Sequence, residues 1–322
     1  MLKPKSMNRR AVVTGGAGFL GSHLVDALVS DSWHVVVVDD LSTGSSRNLT
    51  QHLGCSYFEL MVTNICSDWT VDGPVDLVLN FACVASPPQY IKRPIETLHT
   101  GSVGTQNVID LALDKGARLV HASTSEVYGD PLVHPQPEEY WGNVNPIGPR
   151  SVYDESKRYA EALIAAHVRA HGLDGGIVRI FNTYGPRLNP GDGRVVSNFV
   201  WQALSDAALT VYGDGKQTRS FCYVDDMIRG ILDFARLTGE LGPVNLGTPE
   251  EITIAELAIL ICDITGIGNS KVCLPLPVDD PTQRRPELSR ARELLNWNPE
   301  IALREGLSRT VDWFQSSLRI AK

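Results

Sequence analysis

The feature that most narrows the fold is a series of glycines set between an apolar run and a helix. Arg10 to Thr14 reads as a short buried strand, Gly15-Gly-Ala-Gly18-Phe-Leu-Gly21 as a tight turn, and Phe19 to Ser30 as a helix. Glycines in such a turn have separate duties: they permit the bend, let backbone approach a pyrophosphate, and let helix pack on strand. The helix N-terminus adds amide donors and the positive end of a dipole. Because the series follows a strand and opens a helix, it has the context that a dinucleotide fingerprint requires. Apolar runs at Val35 to Val38, Leu77 to Asn80, Leu119 to Ala122 and Gly176 to Ile180, with helical stretches at Val103 to Lys115 and Val152 to His171, continue the alternation. The pattern predicts an α/β fold with a Rossmann-like doubly wound parallel sheet.

Asp39 closes the second apolar run, 18 residues past Gly21. A carboxylate there holds the two ribose hydroxyls and repels a 2′-phosphate, which predicts NAD rather than NADP. Asp40, beside it, is a second candidate for the same contact.

After Tyr184 the pattern changes. Gly185-Pro-Arg-Leu-Asn-Pro-Gly-Asp-Gly193 is loop-forming, Val195 to Ser205 reads as a helix, and Leu209 to Tyr212 as a short strand. A segment near Arg219 to Ala235 is expected to return to the first lobe, and Ile254 to Thr265 with the tail from Leu288 to belong to the second. The 322 residues suffice for two lobes. The expected division is an NAD-binding domain of residues 1–183 with 219–248, and a smaller α/β substrate domain of residues 184–218 with 249–322.

Charge and cysteine usage narrow the partners. A formal charge of -8 disfavours a nucleic-acid or anionic-membrane surface, since both reward a basic face. No apolar run approaches the ~20 residues of a membrane span. The six cysteines show no C-x-x-C spacing and the chain opens without a secretory pattern, so a reduced, cytoplasmic protein is expected. His167 and His171 share a helix face, but no third ligand is in view and no metal site is predicted.

About 130 residues beyond the glycines stands Ser151-Val-Tyr-Asp-Glu-Ser-Lys157. Tyr153 and Lys157 are four apart and lie on one helix face, so an ammonium there favours a phenolate. A proton acceptor for an alcohol therefore accompanies a dinucleotide site. Ser123-Thr-Ser-Glu-Val-Tyr-Gly129 follows an apolar run, which puts its hydroxyls at the carboxyl edge of the sheet, where ligands bind.

These residues together resemble the extended short-chain dehydrogenase/reductases that act on nucleotide sugars, and the resemblance covers essentially the full length. It implies Tyr153 as base, Lys157 as the contact to the nicotinamide ribose that also lowers the Tyr153 pKa from ~10, and Thr124 or Ser125 as the partner of the reacting hydroxyl. Along the cofactor it implies Gly15, Gly18, Phe19, Leu20, Gly21, Asn64 and Ala82. The runs Ala82-Cys-Val-Ala-Ser-Pro-Pro-Gln-Tyr90, Glu139 to Arg150, Arg179 to Arg187, Asp192 to Asn198 and Gln283-Arg-Arg-Pro286 are most similar to UDP-glucuronate decarboxylases. By that likeness Asn182, Asn198, Arg219 and either Arg284 or Arg285 hold UDP, Tyr212 lies near the uracil, and Pro87, Tyr90 and Arg187 meet the substrate. A homodimer through a helix pair that includes the Val152 helix is also implied.

The chain departs from the decarboxylase pattern at Asn64, Val84, Gln89 and Ser156, where that pattern has Asp, Pro, His and Gly. A hydroxyl residue before the catalytic Lys is the form general to 4-epimerases, whereas Glu126 is the decarboxylase form. Oxidation at C4 of UDP-glucuronate gives a ketone beta to the C6 carboxylate, and side chains around that carboxylate decide whether carbon dioxide leaves. The reading drawn from these residues is a UDP-glucuronic acid 4-epimerase giving UDP-galacturonic acid. The alternative is a decarboxylase giving UDP-xylose. A non-catalytic NAD-binding sensor is a remote third, disfavoured by the presence of Tyr153 and Lys157.

Overall fold

The computed structural model describes residues 9–268 and 270–320. The opening residues read for a secretory pattern, 1–8, lie outside the described residues, as do 269, 321 and 322 of the expected substrate domain.

The first half is a run of strand–helix units. Its strands are β1 (Arg10–Thr14), β2 (His34–Asp39), β3 (Phe58–Val62), β4 (Leu77–Asn80), β5 (Arg118–Thr124) and β6 (Gly175–Ile180). Its helices are α1 (Phe19–Ser30), α2 (Pro87–Lys92), α3 (Pro94–His99), α4 (Thr105–Lys115) and α5 (Ser151–His171). There follow β7 (Thr183–Tyr184), α6 (Val195–Leu204), β8 (Leu209–Tyr212), β9 (Thr218–Arg219), β10 (Cys222–Tyr223), α7 (Val224–Ala235) and β11 (Val244–Leu246). The chain then forms β12 (Ile252–Thr253), α8 (Ile254–Thr265), β13 (Lys271–Leu274), β14 (Gln283–Arg284), α9 (Ser289–Leu295) and α10 (Leu303–Ile320).

Seven strands form one sheet in the order β11-β6-β5-β4-β1-β2-β3, every neighbouring pair parallel. Alternate residues serve opposite layers. Val13, Val37, Leu79 and Val120 pack with Leu24 of α1 and Met227, Ile231 and Phe234 of α7, whereas Val12, Val36, Val78 and Leu119 pack with Val108 and Ile109 of α4 and Ile164 of α5. Strands covered on both faces read as continuous β-branched runs, which is why the valines of β2 are legible. The α/β prediction thus holds, with β6 extended to a seventh strand.

Three differences from the sequence expectation have local causes. The edge strand β3 was not foreseen, because Glu59 interrupts its apolar residues and only Phe58 of the five is buried. The helix expected from Val103 starts at Thr105, after a π-type turn over Thr100–Gly104. Here Gly101 meets α5, and a Cβ on it would stand 2.6 Å from the Cβ of Ser156. Helices α2 and α3 were also not foreseen; each begins at a proline, whose fixed φ suits a first helical turn.

Smaller sheets carry the rest: β8 with β13, β12-β9-β14, and β7 with β10. Helix α8 opens with a reciprocal capping box between Thr253 and Glu256. The order of the large sheet reverses between β1 and β4, and in open α/β sheets a ligand crevice lies at the carboxyl ends of the strands at that point.

Candidate active site

The glycine turn follows β1 at the reversal of strand order. Gly15 has φ +69°, and a Cβ there would lie 2.7 Å from the backbone of Phe81 and Ala82, at the end of β4. A Cβ on Gly21 would stand 2.1 Å from the Gly15 carbonyl oxygen. Both positions need glycine. No side chain caps α1 at Gly18, so the N-terminal amides of α1 remain available to an anion. Asp39, at the end of β2, accepts hydrogen bonds from the amides of Ala17 and Leu41 at 2.9 and 2.8 Å, which braces the turn and leaves each oxygen further acceptor capacity. Asp40 accepts from the Ser42 amide and from Asn64 Nδ2, so Asn64 stands at the same strand edge. Phe19 and Leu20 open α1, and Ala82 follows β4. These residues make a cradle that fits a dinucleotide.

At the end of β5, Thr124 caps a 3-10 turn over Ser125–Tyr128 by accepting from the Glu126 amide. Tyr153, in the first turn of α5, is buried and hydrogen-bonded to Thr124. Burial pushes the Tyr153 phenol well above its ordinary value, the Cys83 thiol adds to the rise, and the Thr124 bond opposes it. The phenol is therefore neutral near pH 7. Lys157 donates from Nζ to the Ala122 carbonyl at 2.7 Å and lies against the Cys83 thiol. In the chain itself the larger influences on Tyr153 are burial, Cys83, Thr124, Glu126 and Arg194. Ser156 places its hydroxyl on the Tyr153 carbonyl of its own helix at 2.7 Å.

Glu126 is clamped. Arg284 bonds one carboxylate oxygen, and Arg150, immediately before α5, donates to the other at 2.7 Å. Arg150 also reaches Asp280 at 3.3 Å, and Arg219 meets Asp280 at 3.1 Å. Burial works against ionising Glu126, but Arg284 and Arg150 outweigh it and hold the carboxyl well below the usual carboxylate range. Arg284 is 2% exposed. Arg285 instead pairs with Glu251 at 3.3 Å and its side chain is 33% exposed, so of the two candidates Arg284 is the one placed beside Glu126.

The remaining candidates divide. Tyr90, in α2, stacks on Tyr153 with ring centroids 5.3 Å apart and an interplanar angle of 3°. Pro87 begins α2, and Asn198 lies in α6. Asn182 uses its carbonyl to accept from the Cys222 amide. Tyr212, at the end of β8, is 38% exposed. Arg187 has a φ of +70° in a turn and ties the loop to α1 by pairing Nη2 with Asp26 at 2.5 Å, while its Nη1 is buried without a hydrogen-bond partner. Among the described residues no group of three or more His, Cys, Asp or Glu is placed to hold a metal, and His167 pairs with Gln106.

Sequence reasoning missed Arg150, Asp154, Arg194 and Asp280. Arg194 pairs with Asp192 and its charge acts on Tyr153. Arg150 and Arg194 sit inside runs already recognised as characteristic, so the signal was present at the level of the run and not of the residue.

Known proteins agree with this geometry. Residues 11–247 match the NAD dependent epimerase/dehydratase family. UDP-glucuronic acid decarboxylase 3 of Arabidopsis thaliana is 48% identical over 316 residues, covering 98% of this chain and 92% of that protein. UDP-glucose 4-epimerase of Thermotoga maritima, solved with UDP-glucose, superposes with a TM-score of 0.87 at 29% identity, covering 96% of this chain and 99% of that one. UDP-glucuronic acid 4-epimerase of Bacillus cereus, solved with UDP-glucuronic acid and NAD, gives 0.85 at 27% identity, with coverage of 96% and 99%. With its parallel sheet, its glycine cradle and the Thr124–Tyr153–Lys157 set, the chain belongs to the NAD-dependent epimerase/dehydratase family of enzymes, and its cofactor is NAD.

Proposed function

We propose that the enzyme oxidises C4 of UDP-glucuronate and that the resulting 4-keto acid loses carbon dioxide, the product being UDP-xylose. The observation that carries this reading is the Glu126 clamp beside Tyr153, together with 48% identity to decarboxylases across nearly the whole chain. Bound NAD supplies the hydride acceptor, the hydride donor for the return step, and a positive charge that favours a phenolate. Tyr153 takes the C4 hydroxyl proton, and Thr124 or Ser125 holds that oxygen in line. General base catalysis of this kind contributes typically ~100- to 10,000-fold. Lys157 fixes the ribose, Asp39 its partner ribose, and Arg219 and Arg284 face the diphosphate, where charge-assisted contacts contribute about 1.5–3 kcal/mol each. Asn182, Asn198, Tyr212 and Pro87 complete the UDP side.

The relatives thus support decarboxylation over the epimerisation expected from the sequence. Epimerisation to UDP-galacturonate stands as the second reading because Ser156 fills the space against Gly101, and Val84 and Gln89 also depart from the decarboxylase pattern. If these positions hold the C6 carboxylate in the plane of the ketone, its bond cannot align with the carbonyl π-system and carbon dioxide stays. Incubation with UDP-glucuronate and separation of the nucleotide sugars decides: UDP-xylose with one carbon dioxide per turnover is expected, and UDP-galacturonate without gas would replace it with the second reading.

The two-domain division, a homodimer and a reducing, cytoplasmic setting belong to the same proposal. Ile95 of α3 and Tyr159 of α5 are exposed apolar residues on two elements that pack together, which suits a helix-pair interface, and none of the six cysteines is in a disulfide. Among the described residues no helix is long and apolar enough to cross a membrane. Light scattering at micromolar concentration tests the dimer: a mass of one chain would refute it.

A further inference from the structure

Three buried polar atoms at the Glu126 clamp have no hydrogen-bond partner: the Arg284 Nε of the clamp itself and, beside it, the Tyr90 hydroxyl oxygen and Asp154 Oδ1. Tyr90 is 1% exposed and Asp154 5%. An orphaned buried polar group is costly, and where it persists it needs a reason. Tyr90 and Asp154 belong to one place. Tyr90 stacks on Tyr153, Asp154 is the next residue after Tyr153, and the charge of Asp154 acts on Tyr90. Around them stand Glu126 on the 3-10 turn, Arg150 before α5, Glu155 on the same helix, Arg284 on β14, and Asp280 in the loop that precedes β14.

Burial first, and then the Glu126 carboxylate, push the Asp154 carboxyl up to about 7, against the pull of Arg150 and Arg284. Burial pushes the Tyr90 phenol up as well. Both guanidiniums near Glu126 already have carboxylate partners. The unpartnered donors in this corner are therefore the Arg284 Nε and the neutral O–H groups of Tyr90 and protonated Asp154, and together they suit a ligand group that only accepts hydrogen bonds.

Given UDP-glucuronate as substrate, on which this inference rests, one such group remains after the diphosphate is placed. We propose that protonated Asp154 and the Tyr90 hydroxyl donate to the C6 carboxylate of the sugar, so that Asp154 is the residue by which the site distinguishes a uronic acid from a carboxylate-free sugar. When Asp154 ionises, the donor is lost and a like charge takes its place, so selectivity for the uronic acid falls as pH rises. A purely structural Asp154 would not make recognition of one ligand pH-dependent.

The test is calorimetric binding to the NAD-loaded protein in a Tyr153→Phe background, which holds turnover down. The ligands are UDP-glucuronate, carboxylate-free UDP-xylose, and UDP. From about pH 6 to about pH 8.5 the protonated fraction of a group titrating near 7 falls roughly 30-fold, and affinity for UDP-glucuronate falls with it. UDP-xylose affinity should stay level, and UDP, whose terminal phosphate has its second pKa at ~6, should not weaken as pH rises. Asp154→Asn keeps a permanent donor and should bind UDP-glucuronate equally at both pH values, whereas Asp154→Ala should lose about 10-fold or more at the lower pH for that ligand alone. The proposal is overturned if Asp154→Asn retains the full pH dependence, or if it weakens all three ligands equally. A protein that binds UDP and UDP-xylose but shows no affinity for UDP-glucuronate at either pH would instead overturn the substrate assignment, and this inference with it.

Discussion

Replacing Glu126 by Gln removes the anion that the Arg284 and Arg150 guanidiniums share. Breaking a buried ion pair by neutralising one partner costs about 3–5 kcal/mol, because the other charge stays buried. Arg150 keeps Asp280, so most of the cost falls on Arg284, which is 2% exposed and retains only the Gly129 carbonyl as acceptor. Gln keeps one acceptor oxygen, which puts the loss near the lower bound, about 3 kcal/mol. At roughly 2–4 °C per kcal/mol for a chain of this size class, the melting temperature should fall on the order of 6–12 °C. UDP should restore part of this by supplying an anion to Arg284, so the rise in Tm on adding UDP should be larger in Glu126→Gln than in the wild type. Scanning fluorimetry with and without UDP reads both effects. A Tm within about 2 °C of the wild type would show that the clamp does not hold Arg284, given the ~3 kcal/mol expected.

Other outcomes follow from the same geometry. Tyr153→Phe should cut turnover of UDP-glucuronate by ~100-fold or more while sparing its binding, and near-normal turnover would remove Tyr153 as base. Gly101→Ala forces a Cβ against the side chain and backbone of Ser156 and should cost about 1–3 kcal/mol, with Ser156→Gly restoring only the side-chain part; additive losses in a denaturation cycle would refute the contact. Asp154 has a folded pKa raised from 3.8 to about 7, so the native state binds the extra proton and stability falls as pH rises between those values. At ~1.36 kcal/mol per unit the loss is at most roughly 4 kcal/mol. Melting curves at about pH 5 and pH 8 should show a smaller decline for Asp154→Asn than for the wild type, and equal declines would place the titration elsewhere.

How much was legible in the sequence depends on the distance over which each signal acts. The strands β1, β2, β4, β5 and β6 and the helices α1 and α5 announce themselves because burial on both faces, or on one helical face, imposes a local period. The edge strand β3 is half-wet and leaves no such trace. Tyr153 and Lys157 are legible because four residues suffice to align them. Glu126 and Arg284 are 158 positions apart, and only the fold reveals that one clamps the other. Arg187 shows the converse: a match by run says which residue is present but not where its side chain goes, and a positive-φ turn sends this one to Asp26. Asp154 carries no sequence signal of its own, since an acidic residue in a helical first turn is ordinary and the dipole there favours a negative charge. Only the fold shows that it is buried next to Glu126 and that its carboxyl is pushed up rather than down.

The central claim is that C4 of UDP-glucuronate is oxidised and then reduced again in one catalytic cycle on retained NAD. Proton NMR of the product formed from UDP-glucuronate deuterated at C4 tests it whichever fate the 4-keto acid meets. The account predicts that the deuterium returns to C4 of the product, with UDP-xylose as that product and no NADH accumulating in solution. Unconverted substrate, or a product that carries ordinary hydrogen at C4, would contradict it.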